Sequence, residues 1–348
     1  MSRWRSANFV PRLLVPALAV LAAACDRPSV TVYVSADEDV SRPVFEEFER
    51  RTGIRVDAKF DTEATKTTGL ANMVRAERDR PRADVFWSNE QAAPVGLAQD
   101  GLLLPDDAAR AWPAAWRDGD ARWWSFAGRA RVIVYAPDRV KEPPRTWAEL
   151  ADPRWKGRVA MADPRFGTTR SHFGAMKAWW AAHAAPGYFE AFVAGLAANE
   201  PRVLTSGNAG VIDAVARGEA DIGTTDTDDV LAAQARGLKL AMVFPRHAHD
   251  GGVTGGGTYL IPNTLGLVAG APHPREAAAF LAYMRTPEVE RRLAGAPWRH
   301  VPLVVAPAEG DLAVPDPLAV DPAAVVGAAP GAVQAFLDAR AKIGAKVE

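Results

Sequence analysis

The feature that most constrains this chain is a repeated alternation of short β-branched runs with helix-length segments, each run ending in a short polar turn. Ser29 to Ser35 (SVTVYVS) reads as a strand. Ser41, Arg42 and Pro43 then open a helix with Val44, Phe45 and Phe48 on one face, and Gly53 closes it. Ile54 to Phe60 alternates as a second strand, Leu70, Met73 and Val74 mark a helix, Asp84 to Ser88 is a third strand and Pro94 to Asp100 a third helix. Such a βαβαβ series predicts a mostly parallel sheet flanked by helices. After a tryptophan-rich stretch, Arg131 to Tyr135 is a strand and a second series begins. Its strands are Arg158–Met161, Pro201–Leu204 and Ala220–Thr224, and its helices are Gly167–Ala182, Ala209–Arg217 and Asp229–Arg236. The segment Tyr259–Val268 fits either series, and the Pro- and Ala-rich stretch from Pro302 carries no clear period. A length of 348 residues is more than one core usually serves, so two domains are expected.

In open parallel sheets, ligands sit beyond the carboxyl ends of the strands. In the first series those positions hold Ser35, Asp37 and Glu38, then Asp61, Thr62 and Glu63, then Ser88, Asn89 and Glu90. In the second they hold Phe166-Gly167-Thr168-Thr169, Ser206-Gly207-Asn208 and Asp226-Thr227-Asp228-Asp229. Each turn of the second series runs into a helix, so three helix N-termini would offer unpaired N–H groups to one crevice, a setting that favours anions. Capping alone explains any one of these Ser, Thr, Asn and Asp residues. As a set they exceed that need. Gly167 and Gly207 admit close approach to the backbone, and the three aspartates within four residues suit a cation or an amine. Arg129 and Arg131 flank the crossing between the series, placed to hold an anion or an interlobe ion pair.

The amino terminus bears on compartment. Arg3, Arg5 and Arg12 precede an apolar run, Leu13 to Ala24, shorter than the roughly 20 residues that span a bilayer. This pattern reads as a signal peptide over residues 1–24. It ends at Ala22-Ala23-Ala24-Cys25, so Cys25, the only cysteine, is the expected lipidation site, anchoring the chain at the periplasmic or cell-surface face of a membrane. Removing residues 1–24 removes three arginines and no acids and moves the net charge from −1 to −4. No basic run argues for nucleic acid. No nucleophile-elbow, zinc-protease or P-loop motif is present, and no cofactor is expected. A lipid-anchored hydrolase using Asp226 and Glu90 across the crevice is the rival of another class. His247 and His249 have a spacing that could bind metal but sit in a Gly-rich segment, His172 could touch ligand, and Trp87, ending a strand, is a candidate lining residue.

Several stretches resemble the ferric-iron-type solute-binding proteins of bacterial ABC importers. They are VTVYVSADED, ADVFWSNEQAAPVGLAQDGLL, GRARVIVYAPDRV, TWAELADPRWKGRVAMADPRFGTT, AVARGEADIGTTDTDD and the run from Ile261 to Leu293, together spanning most of residues 30–295. The resemblance implies a two-lobed α/β periplasmic-binding-protein fold closing on ligand. Residues 25–130 and 258–348 would form the first lobe and 131–257 the second, with hinge crossings at the ends of the second. It implies a monomer that captures a small polar solute, ferric iron or a metal–anion pair among them, and delivers it to the transmembrane subunits of a permease. A phosphonate-like or amine-bearing solute is the alternative. The family's anion-binding turn matches Phe166-Gly167-Thr168-Thr169. Its adjacent tyrosines, however, fall where this chain reads Thr224-Thr225-Asp226-Thr227-Asp228-Asp229. The five tyrosines, Tyr33, Tyr135, Tyr188, Tyr259 and Tyr283, are nowhere adjacent; Tyr259 is kept as a candidate ligand contact.

Overall fold

In a computed structural model, the described residues are 1, 27–61, 68–248, 253–295, 297 and 299–344. Cys25, Thr62, Glu63 and His249 lie outside them. The first series folds as β1 (Ser29–Val34), α1 (Glu38–Thr52), β2 (Arg55–Phe60), α2 (Thr68–Ala76), β3 (Val85–Ser88), α3 (Ala92–Gln99) and the short β4 (Leu103–Leu104). β1 runs parallel to β2 and to β3. α1 starts earlier than expected, at Glu38, with Pro43 inside it. It ends where expected: Gly53 adopts φ 74°, and its N–H reaches Glu49 O.

The strand that joins the two halves is longer than the sequence indicated. β5 (Trp124–Tyr135) runs unbroken for 12 residues. Its first part pairs antiparallel with β10 (Leu260–Val268), from Trp124 to Ala130. From Arg131 onward it pairs instead with β8 (Ile222–Asp226), and its last residues also pair with β9 (Ala241–Val243). Arg129 and Arg131 therefore sit at the changeover between lobes. β10 also pairs with β3 and β4, which places it in the first lobe.

The second lobe continues with β6 (Val159–Ala162), α4 (Gly167–His183), α5 (Tyr188–Ala198), β7 (Arg202–Leu204), α6 (Gly207–Ala216), β8 and α7 (Thr227–Ala235). β6 is parallel to both β7 and β8, so the carboxyl ends of all three open toward the same side. Trp147, Trp155, Trp179 and Trp180 are buried in this lobe's core with Phe189 and Phe192. Aromatic side chains of this size bury about 150–250 Å² each, which makes them the main apolar stabilisers here.

The first lobe is completed by α8 (Pro274–Met284) and α9 (Pro287–Gly295), whose Phe280, Met284 and Leu293 pack with Val32, Phe45 and Trp87. The division expected from the sequence needs one correction. The last helix, α10 (Pro322–Gly344), falls within residues 258–348, which the sequence places in the first lobe. Its Val325, Ala332 and Phe336 instead join the second lobe's apolar core, with Phe336 edge-on to Phe173 of α4. The physical reason is the aromatic face of α4 and α5, which needs a cover that the second series does not itself provide.

Candidate functional site

A cavity of about 390 Å³ lies between the lobes. Ala36, Asp37, Val40, Asn89, Asn263 and His300 line it from the first lobe, and Arg129 at the changeover strand. The second lobe contributes the ends of β6, β7 and β8 through Asp163, Gly167, Thr168, Gly207, Asn208, Asp226, Asp228 and Asp229. The strand-end rule thus accounts for most of the wall.

The second-lobe wall is built on two helix ends that no side chain caps. α4 begins after Phe166 and α6 after Ser206, and neither N-cap residue makes a side-chain capping bond. Gly167 and Gly207 hold φ 54° and 68°, a region that suits glycine. Their first-turn N–H groups are the sort of donors an anion uses. α7 differs, because its own carboxylate serves it: Asp229 Oδ2 accepts from Asp226 N at 3.4 Å and from Thr225 Oγ1 at 3.0 Å.

A charge network crosses the lobes beneath that wall. Arg131, fully buried, donates from Nη1 to Asp226 Oδ1 at 2.7 Å and to Thr168 Oγ1 at 3.2 Å. Asn208 Nδ2 donates to Asp226 Oδ2 at 3.0 Å. Arg129 Nε lies 3.2 Å from Asp228 Oδ2 and 3.8 Å from Asp226 Oδ2, and its Nη2 donates to Asn89 O at 3.0 Å. Asp226 thus sits between two guanidinium groups, and Asp228 pairs with one of them. Burial pushes the Asp228 carboxyl well up; Arg129 opposes this, while Asp229, Asp226 and Asp37 add to it. Asp229 is pushed up to about 6, by burial first and then by Asp226. Burial pulls Arg129 down, but the carboxylates of Asp228, Asp226, Asp37 and Asp229 outweigh it and hold it up. Oxygens of Asp226, Asp228 and Asp229 come within 4.8 Å of one another, a spacing at which hard cations are held.

Other expected site residues lie elsewhere. Ser35 is buried behind the wall, its Oγ accepting from Asn89 N at 3.2 Å. Asp61, at the end of β2, and Ser206 do not line the cavity. Thr169 backs Arg131, its Oγ1 3.5 Å from Nη2. Tyr259 is buried against His172, ring on ring at 5.9 Å. His172 and His247 share a 3.1 Å Nε2–Nε2 contact inside the second-lobe core, so neither reaches the cavity. Trp87 points the other way, donating from Nε1 to Asn263 Oδ1, because side chains alternate along β3 and its position faces the core.

Glu90 is also off the wall. Its oxygens accept from Ala92 N, Ala93 N and, across the lobes, Ser171 Oγ. With Glu90 so occupied and Asp226 held by Arg131, the pair needed for a cleft hydrolase is not assembled. Among the described residues, none of the tyrosines lines the cavity. Asn263 and His300 line it without having been foreseen. They sit on a late strand and a late loop, away from the strand-to-helix turns, and no spacing marks them.

Gly167 offers a direct probe of the helix-end reading. An added Cβ would meet nothing within 4 Å, so it would project into open cavity space. Gly167→Val places a branched residue at positive φ, costing about 1–2 kcal/mol, and fills the open space at the start of α4 that an anion there would need. Affinity for inorganic phosphate, measured by calorimetry, should fall at least about tenfold, or 1.4 kcal/mol. Unchanged affinity would show that this turn only starts α4.

The family model for bacterial extracellular solute-binding proteins matches residues 30–298. Iron uptake protein A1 of Synechocystis is 26% identical over 271 residues, covering 74% of this chain and 71% of that protein. Iron-bound HitA from Pseudomonas aeruginosa superposes with a TM-score of 0.75 at 23% identity, over 90% of this chain and 99% of that one. AfuA from Actinobacillus pleuropneumoniae, solved with fructose-6-phosphate, gives 0.71 at 16% identity, over 89% and 97%. The two-lobed fold, the interlobe cavity and the length of the match agree: the chain belongs to the bacterial extracellular solute-binding protein family.

Proposed function

We propose that this protein captures a small solute carrying both signs of charge and delivers it to the transmembrane subunits of an importer. The observation that carries this is the pairing, on one cavity, of the acidic group Asp226, Asp228 and Asp229 with the uncapped ends of α4 and α6. Ferric iron held through carboxylate oxygens with a companion oxyanion is the first candidate, in keeping with the name of the Synechocystis relative. Closure of the lobes would join the anion's contacts to those of the cation, and the solute supplies the free energy that favours the closed state.

A second solute class is favoured by how the carboxylates are spent. Asp226 is committed to Arg131 and Asn208, and Asp229 Oδ2 to Thr225 and the backbone. Asp228 Oδ1, buried and without a hydrogen-bond partner in the described chain, remains. One available carboxylate suits an ammonium group better than an ion that wants about six oxygens. An ammonium–phosphonate zwitterion meets both halves of the cavity.

One titration separates the two. Ferric ion added with citrate should produce no visible charge-transfer band, because no tyrosine lines the cavity, whereas tryptophan fluorescence should respond if the complex binds. A red or orange complex would contradict the tyrosine-free site. Fluorescence that responds to 2-aminoethylphosphonate and not to ferric citrate would select the zwitterion.

We also propose that the chain works as a monomer, anchored outside the cytoplasm through acylated Cys25. An intact mass of the mature protein without an acyl increment on Cys25 would refute the anchor.

A further inference from the structure

A relay of polar groups runs beneath the first-lobe wall. An indole Nε1 is only a donor, and that of Trp87 donates to Asn263 Oδ1 at 3.2 Å. This orients the Asn263 amide. Its Nδ2 donates to Ala127 O at 2.5 Å and faces His300 Nδ1 at 3.3 Å. A ring nitrogen facing an amide N–H must accept, so the proton of the neutral imidazole sits on Nε2. With Nδ1 accepting, the ring carries one N–H and is neutral.

That Nε2–H has no hydrogen-bond partner in the described chain, although His300 is only 2% exposed and lines the cavity. Asp228 Oδ2, from the opposite lobe, is 4.0 Å away, beyond hydrogen-bond reach. Asp228 Oδ1 is buried and unpartnered as well. Buried orphan groups are few in folded proteins and call for a partner. A cation cannot satisfy an N–H group, but an oxygen can. A hydroxyl between the two residues would accept from His300 and donate to an ionised Asp228. A carboxylate or phosphonate oxygen would accept from His300 and from a protonated Asp228.

We infer that His300 is a ligand-binding residue, donating from Nε2 to an oxygen atom of the solute at its first-lobe end, opposite Asp228. This rests on the reading of the interlobe cavity as the solute site. It gives the solute a hydroxyl or oxyanion oxygen in addition to the group held at α4 and α6. It also excludes His300 from the ligands of any metal bound there.

The test uses the full chain labelled with ¹⁵N-histidine, with the His300 signal assigned by its loss in His300→Gln. The expected spectrum has the His300 proton on Nε2 before any addition. Gallium citrate, a diamagnetic stand-in for the ferric complex, and 2-aminoethylphosphonate are then titrated separately, with calorimetry reporting binding. At least one should bind and move the His300 Nε2 proton downfield. For that probe, His300→Ala should weaken binding about tenfold or more, while His300→Gln, which keeps an N–H donor, should lose less. A proton found on Nδ1 overturns the inference, and so does a His300 signal that stays put while calorimetry shows a probe binding. In the second case the cavity remains a solute site. If neither probe binds, both readings fail together.

Discussion

Arg131→Met should lower the unfolding free energy by about 3–5 kcal/mol, the cost of leaving a buried ion-pair partner without its counter-charge. Arg131 is fully buried, and its closest bond is the 2.7 Å contact with Asp226. Without it, Asp226 keeps Asn208 and a guanidinium 3.8 Å away, on a residue already engaged with Asp228. Methionine fills much of the volume, so the loss reports charge more than packing. Urea unfolding measures it. Adding Asp226→Asn to Arg131→Met should restore part of the loss, since the stranded charge is then gone. A loss below about 1 kcal/mol, the scale of an exposed pair, would mean that Asp226 is neutral or hydrated and that the network is not what couples β5 to β8.

Asp228→Asn should do the reverse, sparing the fold and removing the solute. Burial pushes its carboxyl up, and asparagine keeps the shape and an oxygen acceptor facing Arg129, which retains Asp226 at 3.8 Å, so the cost to stability should be smaller than for Arg131→Met. A solute whose positive centre sits on Asp228 should lose at least about a hundredfold in affinity, or 2.7 kcal/mol. The pH dependence follows from the same groups. Asp229 titrates near 6 in the folded protein against an ordinary value of 3.8. Between these values the folded state holds more protons than the unfolded one. The increment of stability is therefore fully present below about 3.8 and lost as pH rises through 6. A bound positive centre displaces those protons, so solute affinity should rise over the same interval, by up to about tenfold per pH unit for each proton displaced. Calorimetry at pH 5 and pH 7 reads both signs, and affinity independent of pH would remove Asp228 and Asp229 from the binding group.

Asp228→Asn acts at a turn that the sequence made legible, and the physical reason is geometric. A parallel strand delivers its last residues to one edge of the sheet, and glycine and aspartate clusters there are visible as Gly167, Gly207 and Asp226 to Asp229. Side-chain direction at a strand end is less visible. Trp87 and Ser35 lie at the right edge yet turn inward, and Glu90 folds back onto α3. The full length of β5 was hidden because Gly128, Arg129 and Arg131 interrupt its apolar pattern, and of these Arg129 contacts both lobes, through Asp228 and Asn89 O. α10 was hidden because its apolar residues are mostly alanine, with Pro330 within the run. His300 and Asn263 enter the cavity through tertiary placement alone, since the bridge between Gly128 and Val301 and the pairing of β10 with β5 bring distant segments together.

The claim that this cavity holds a solute bearing both signs of charge is tested most directly by native mass spectrometry of protein purified without refolding. The account predicts that the wild type carries a noncovalent mass increment that is absent from Asp228→Asn. The released molecule should contain an oxyanion together with either an amine or a metal. Wild type and Asp228→Asn appearing only at the same bare mass, with neither ferric citrate nor 2-aminoethylphosphonate adding to the wild type, would contradict it.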